Sequence, residues 1–116
     1  MTGAEFMVVL VTVGSRPEGE TIARQLVEDG LAACVNIVGP IRSVYVWKAQ
    51  VAEEDEHLLI IKTRQQIVGA VEARVRALHS YEVPEVVALP IVGGSTPYLD
   101  WLRAGTAGDR YGRERT

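Results

Sequence analysis

The residues best equipped for chemistry cluster late in the chain. His79 is followed by Ser80, Tyr81, Glu82 and Glu85. An imidazole among carboxylates is a donor set for a divalent transition metal. At a helix C-terminus the same imidazole is a favourable cation facing the free carbonyls. Residue types leave both readings open, and no HExxH or CxxC spacing decides for a metal. Cys34, the single cysteine, follows Ala32-Ala33 in an apolar run and reads as an inert core thiol. A Cys–His nucleophilic pair would need a proximity that spacing does not reveal. Lys62 ends another apolar run, placed to meet an anion or to pair with Glu56 or Glu85. Glu53, Glu54, Asp55 and Glu56 form a run of acids that reads as the solvated arm of a hairpin. Trp47, Tyr45, Tyr81, Tyr98 and Trp101 complete the set, as amphipathic rings suited to interfaces and pocket walls. No Gly-rich phosphate loop is present, since Gly93-Gly94 reads as a plain turn.

The elements that must position these residues follow from periodicity. Phe6 to Val13 is a β-rich apolar run closed by Gly14. Ser15-Arg-Pro-Glu18 is a capping box with Pro17 in the first turn, opening a helix over 16–29 that Gly30 ends. Ala33 to Ile37 and Ile41 to Trp47 read as one extended region broken at Gly39-Pro40, where the proline suggests a bend or an edge position. The polar stretch from Lys48 to His57 turns the chain, and Leu58 to Lys62 is the third strand. Thr63-Arg-Gln-Gln66 is a second capping-box pattern, ahead of a helix with Ile67, Val71, Val75 and Leu78 on one face. Val86 to Val92 is the fourth strand. Thr96-Pro97 starts a short last helix, over Tyr98 to Ala104, which Gly105 stops. Residues 1–105 thus form one domain, and 106–116 are a polar, frayed tail.

The order β-α-β-β-α-β plus a terminal helix specifies an α+β fold, a ferredoxin-like sandwich. Right-handed crossovers place the two main helices on one face of a four-stranded antiparallel sheet. The strands are nonetheless apolar at consecutive positions, which calls for burial on both faces. A second copy of the chain is the simplest cover for the bare face.

Composition sets the class. The chain has 116 residues, 47% hydrophobic but only 6% aromatic, so its apolar weight is aliphatic and its core small. A net charge of −3 argues against a nucleic-acid binder. The basic residues Arg110, Arg113 and Arg115 read as part of a solvated tail. No apolar stretch approaches the ~20 residues of a membrane span, so no membrane is expected. No basic n-region with an apolar segment opens the chain, and one cysteine suits a reducing compartment, so the expected location is cytoplasmic.

Several blocks carry a resemblance. Leu31-Ala-Ala-Cys-Val-Asn-Ile37, Ser43-Val-Tyr-Val-Trp47, Glu56-x-x-Leu-x-x-Lys-Thr63, His79-Ser-Tyr-Glu-Val-Pro-Glu85, Ala88-Leu-Pro-Ile91 and Pro97-Tyr-Leu-Asp-Trp101 closely resemble successive blocks of the CutA family, the divalent-cation tolerance proteins. They run in the family's order and spacing across about residues 6 to 105. The resemblance implies a tight homotrimer with a long hairpin reaching across to a neighbour. It implies a response to metal ions, with copper or another divalent cation bound weakly, and no enzyme activity. Mammalian relatives are associated with anchoring acetylcholinesterase at membranes. The trimer's likeness to the PII signalling proteins implies an alternative, a signalling or scaffolding module that binds a metabolite or protein partner. An unassigned activity built on Lys62, Glu56 and His79 is a third reading.

Carried onto this sequence, the family's pocket between subunits draws on Trp47, Glu56, Lys62 and Tyr81. His79 is the main metal ligand, with oxygen from Glu82 or Glu85. Three departures stand out. Ser80 replaces a common proline, which should leave that loop freer. Ala49 replaces a common glycine at the hairpin turn. Val11 stands where some relatives carry a cysteine implicated in copper binding.

Overall fold

A computed structural model describes residues 4–106. Most of the expected tail, and with it Arg110, Arg113 and Arg115, lies outside the described residues. The elements are β1 (Phe6–Val13), α1 (Arg16–Glu28), β2 (Cys34–Trp47), β3 (Gln50–Arg64), α2 (Val68–Leu78), β4 (Val86–Pro90) and α3 (Thr96–Gly105). The strands form one antiparallel sheet in the order β2-β3-β1-β4. The protein is therefore α+β, with the predicted element order.

Helix α1 starts where its sequence says it should. Ser15 Oγ accepts from the Glu18 N–H at 3.3 Å, and Pro17 occupies the first turn, where no N–H is needed. The chain leaves the helix through Gly30 at φ 74°, a left-handed position that glycine adopts without penalty. Ile22 and Leu26 of α1 pack with Val71 and Val75 of α2 against Val9, Val11, Val13, Leu59 and Ile61 of the sheet, all fully buried. Each such side chain stabilises the fold by about 1.5–3 kcal/mol relative to exposure.

The sheet's other face is only partly covered. Leu102 and Leu99 of α3 pack on Phe6, Ala33 and Ile91 at one end. Beyond them, strand alternation puts Val8, Leu10, Leu58, Ile60, Val87 and Leu89 together on this face, half-buried or exposed. The consecutive apolar residues of β1 and β3 are thus shared between a closed face and an open one.

Five local expectations are corrected. The region from 48 to 57 is not a polar turn: β3 begins at Gln50 and absorbs the acidic run, pairing with β2 down to Trp47↔Gln50. Cross-strand partners explain it, since Arg42 bridges Glu53 and Asp55 and Tyr45 bonds Glu54. Strand β2 lies at the sheet edge, as Pro40 suggests, but does not break at Gly39-Pro40. It passes through that cis peptide and a bulge in which Val38 to Ile41 opposes Leu58 to Glu56. Thr63 caps no helix. It stays in β3, donating its hydroxyl to the Leu31 carbonyl at 2.7 Å, and a short 3-10 turn over Gln65–Ile67 leads into α2 without a side-chain cap. Strand β4 ends at Pro90 rather than Val92, and Gly93-Gly94 forms no hydrogen-bonded turn.

Candidate functional site

The loop after α2 is fastened first by His79. Its ring is fully buried, donating from Nε2 to the Thr12 carbonyl at 2.7 Å and accepting at Nδ1 from the Tyr81 N–H at 3.0 Å. Those partners fix the tautomer and engage both nitrogens. Glu18 of α1 adds a clamp. Instead of closing the capping box, its carboxylate takes the Ser80 N–H at 2.7 Å and the Ser80 hydroxyl at 3.1 Å, and lies 3.5 Å from His79 Nδ1. Ser80 therefore ties the loop down, contrary to the freedom expected where relatives carry proline. A proline there has no N–H to give.

So held, the loop aims Tyr81 across the top of β1. Its hydroxyl donates to Glu56 Oε2 at 2.8 Å, and its ring lies 4.6 Å from that of His79. A Cβ on Gly14 would stand 3.1 Å from the Tyr81 hydroxyl, so this approach depends on glycine. Burial, then the Glu56 carboxylate, push the Tyr81 pKa well above the ordinary tyrosine value. Glu56 itself is only 6% exposed.

Tyr81 and Glu56 belong to a cleft of about 620 Å³. Its walls are Tyr45 and Trp47 of β2, Glu54 and Glu56 of β3, and Glu82 and Glu85 of the loop, with Thr12 between them. Strand alternation sorts the acids. Glu53 and Asp55 point to Arg42, while Glu54 and Glu56 face the cleft, each accepting from a tyrosine hydroxyl. The solvated-arm reading thus holds for only half of the acidic run. Among the described residues, no Lys, Arg or His lines the cleft.

The sequence-predicted site residues divide three ways. Trp47, Glu56, Tyr81, Glu82 and Glu85 come together in the cleft. His79 lies behind it, holding the loop from inside. Lys62 is elsewhere, six residues along β3 from Glu56 and so roughly 20 Å away. It donates to Asn36 Oδ1 and lies 4.0 Å from Cys34 Sγ, on the open face of the sheet. Within one chain it pairs with neither Glu56 nor Glu85 and forms no cluster with Glu56 and His79. Cys34 is half-buried on that open face rather than a core thiol. Tyr98 and Trp101 stack on each other in α3, with centroids 5.6 Å apart. The sequence marked Tyr45 as a ring suited to a pocket wall, which it is, but left Glu54 in a solvated arm. Alternation through the acidic run was the signal that could have found it.

Among the described residues, no group of three or more His, Cys, Asp or Glu side chains is gathered to hold a metal ion. Nor is any described helix long and apolar enough to cross a membrane.

The family described as CutA1 divalent ion tolerance protein matches residues 7–105. The chain belongs to the CutA family. A divalent-cation tolerance protein CutA from Thermus thermophilus is 52% identical over 99 residues, spanning 85% of this chain and 96% of its own length. The chloroplastic CutA of Arabidopsis thaliana is 52% identical over 100 residues, and the human CutA 46% over 96. These cover 86% and 83% of this chain but 55% and 54% of the relatives, so the chain spans about half the length of those two proteins. The solved structure of the Thermus thermophilus CutA1 superposes with a TM-score of 0.85 at 51% identity, covering 87% of this chain and 98% of that one. CutA1 from Oryza sativa gives 0.87 at 47%, covering 91% and 97%.

Proposed function

We propose that this chain serves divalent-cation tolerance as a cytoplasmic homotrimer of ferredoxin-like subunits, with the acidic cleft as its cation site. The relatives' names support the role. The observation that carries the site is a cleft with four carboxylates and, among the described residues, no basic wall residue. The open apolar face, with Val87 45% and Leu89 46% exposed, supports assembly.

Copper or another divalent cation is the expected cargo. The residues do not fit a tight site, because both nitrogens of His79 are engaged and no three-ligand group is gathered among the described residues. Glu82 and Glu85 remain as oxygen donors, a hard pair that holds copper weakly. Calorimetric titration with Cu²⁺ tests this. Heat should persist in His79→Ala and vanish in the double variant Glu82→Gln/Glu85→Gln. Loss in His79→Ala with the fold intact would restore the histidine as the ligand.

The aromatic walls favour a second reading, a PII-like module that binds a small metabolite or partner. A thermal-shift screen addresses it, since a ligand of the native state raises the melting temperature.

A further inference from the structure

We infer that Glu18 is a positioning residue, the latch of a strap hinged at His79. Its carboxylate on α1 holds residues 80–85 shut, and its release lets Tyr81 leave Glu56. Every contact the device uses lies within one chain, and it is independent of what the cleft takes.

The strap has a fixed end and a loose one. His79 closes α2 with its N–H on the Val75 carbonyl, and its fully buried ring is tied to the Thr12 carbonyl. Past Tyr81 the chain is exposed, Val83 at 82%. Among the described residues, Glu82 to Glu85 carry no hydrogen bond within the chain before β4 begins at Val86. Segments with so few bonds and apolar contacts are where local opening starts.

Glu18 acts between the two ends. A glutamate at the third position of a helix ordinarily turns back to the N-cap N–H. This one reaches instead to a loop 62 residues later, and its two oxygens divide the hold. Oε2 accepts the Ser80 N–H at 2.7 Å and Oε1 accepts the Ser80 hydroxyl at 3.1 Å. Bonds to a carboxylate are roughly twice as strong as neutral ones. Ser80 precedes Tyr81, so pinning its backbone fixes the direction in which the tyrosine ring leaves the chain. Only the Tyr81 N–H on His79 and the hydroxyl on Glu56 then keep the ring seated, and Glu56, 6% exposed, is covered by it.

The test is amide hydrogen exchange by NMR on the full chain in its native assembly, read at the Tyr81 N–H, whose own acceptor on His79 every variant keeps. The NOE between the Tyr81 ring and the Gly14 α-protons gauges closure, because the two groups are in contact. Glu18→Ala should speed Tyr81 exchange by about tenfold or more and weaken the NOE, with Val9 and Leu59 in the sheet unchanged. Glu18→Gln, which drops the charge but still bonds Ser80, should stay within about threefold of the wild type. Ser80→Ala loses the hydroxyl bond alone and should give about a threefold rise, and adding it to Glu18→Ala should change nothing further. Unchanged exchange and NOE in folded Glu18→Ala overturns the latch. So does equal acceleration in the glutamine and alanine variants, or acceleration of Ile22 and Leu26 in parallel with Tyr81, which would mark fraying of α1. If Glu18→Ala does not fold, Ser80→Ala decides alone: a rise at Tyr81 upholds the proposal and none overturns it.

Discussion

His79 joins β1 to the loop that builds the cleft, so its loss is felt first in stability. His79→Ala leaves the Thr12 carbonyl and the Tyr81 N–H without partners, at about 1–3 kcal/mol for each buried group stranded. Denaturant unfolding should show the lower midpoint. Tyr81 makes a pH prediction. Its raised pKa means that the folded state holds the phenolic proton more tightly than the unfolded chain does. Stability is therefore complete below the ordinary tyrosine value near 10 and falls as pH rises through it toward the folded value. Tyr81→Phe should flatten that alkaline decline in a pH series of melting temperatures. The types of His79, Tyr81 and Glu85 were legible as a site because they lie within seven residues of one another. The role of His79 was not, because its partner is a backbone carbonyl 67 residues earlier, which no spacing encodes.

At the scale of elements, the hairpin turn exposes a local conflict. Lys48 and Ala49 have φ of 53° and 65° between Trp47 and Gln50, the two positive values of a type I′ turn. Alanine is penalised there and glycine is not, so Ala49→Gly should stabilise by about 1 kcal/mol. Thermal unfolding of the pair checks it, and a lower melting temperature for the glycine variant would refute it. Gly14→Ala works the other way, crowding the Tyr81 hydroxyl. Ligand binding should fall while the core of α1, α2 and the sheet stays intact. The course of helix α1 was readable because cap, proline, apolar spacing and terminal glycine agree, though the Glu18 half of its capping box went to Ser80. The arm of β2 and β3 was not, because it is polar by composition. It becomes a strand only through partners across the hairpin, such as Arg42 with Asp55. The Thr63 cap failed for the same reason, its hydroxyl being claimed by Leu31 in another element.

For the whole molecule, the open face is the feature that a single chain leaves unfinished. Leu89→Glu substitutes a side chain already 46% exposed, so the subunit should fold almost unchanged. Sedimentation velocity should then show the wild type at three chain masses and the variant at one. A trimeric variant would place the interface elsewhere. The bulge between Val38 and Ile41 has a further consequence, best put as parity. Before it, the even-numbered residues of β2 share a side with the even residues of β3; after it, the odd ones do. Ser43, Tyr45 and Trp47 thereby stand across from the acids of the cleft, and Arg42 is sent to the back. Were the count through the bulge shorter by one, Arg42 would lie among Glu54 and Glu56 and neutralise them. One surplus residue in mid-strand thus decides the sign of charge that the cleft offers.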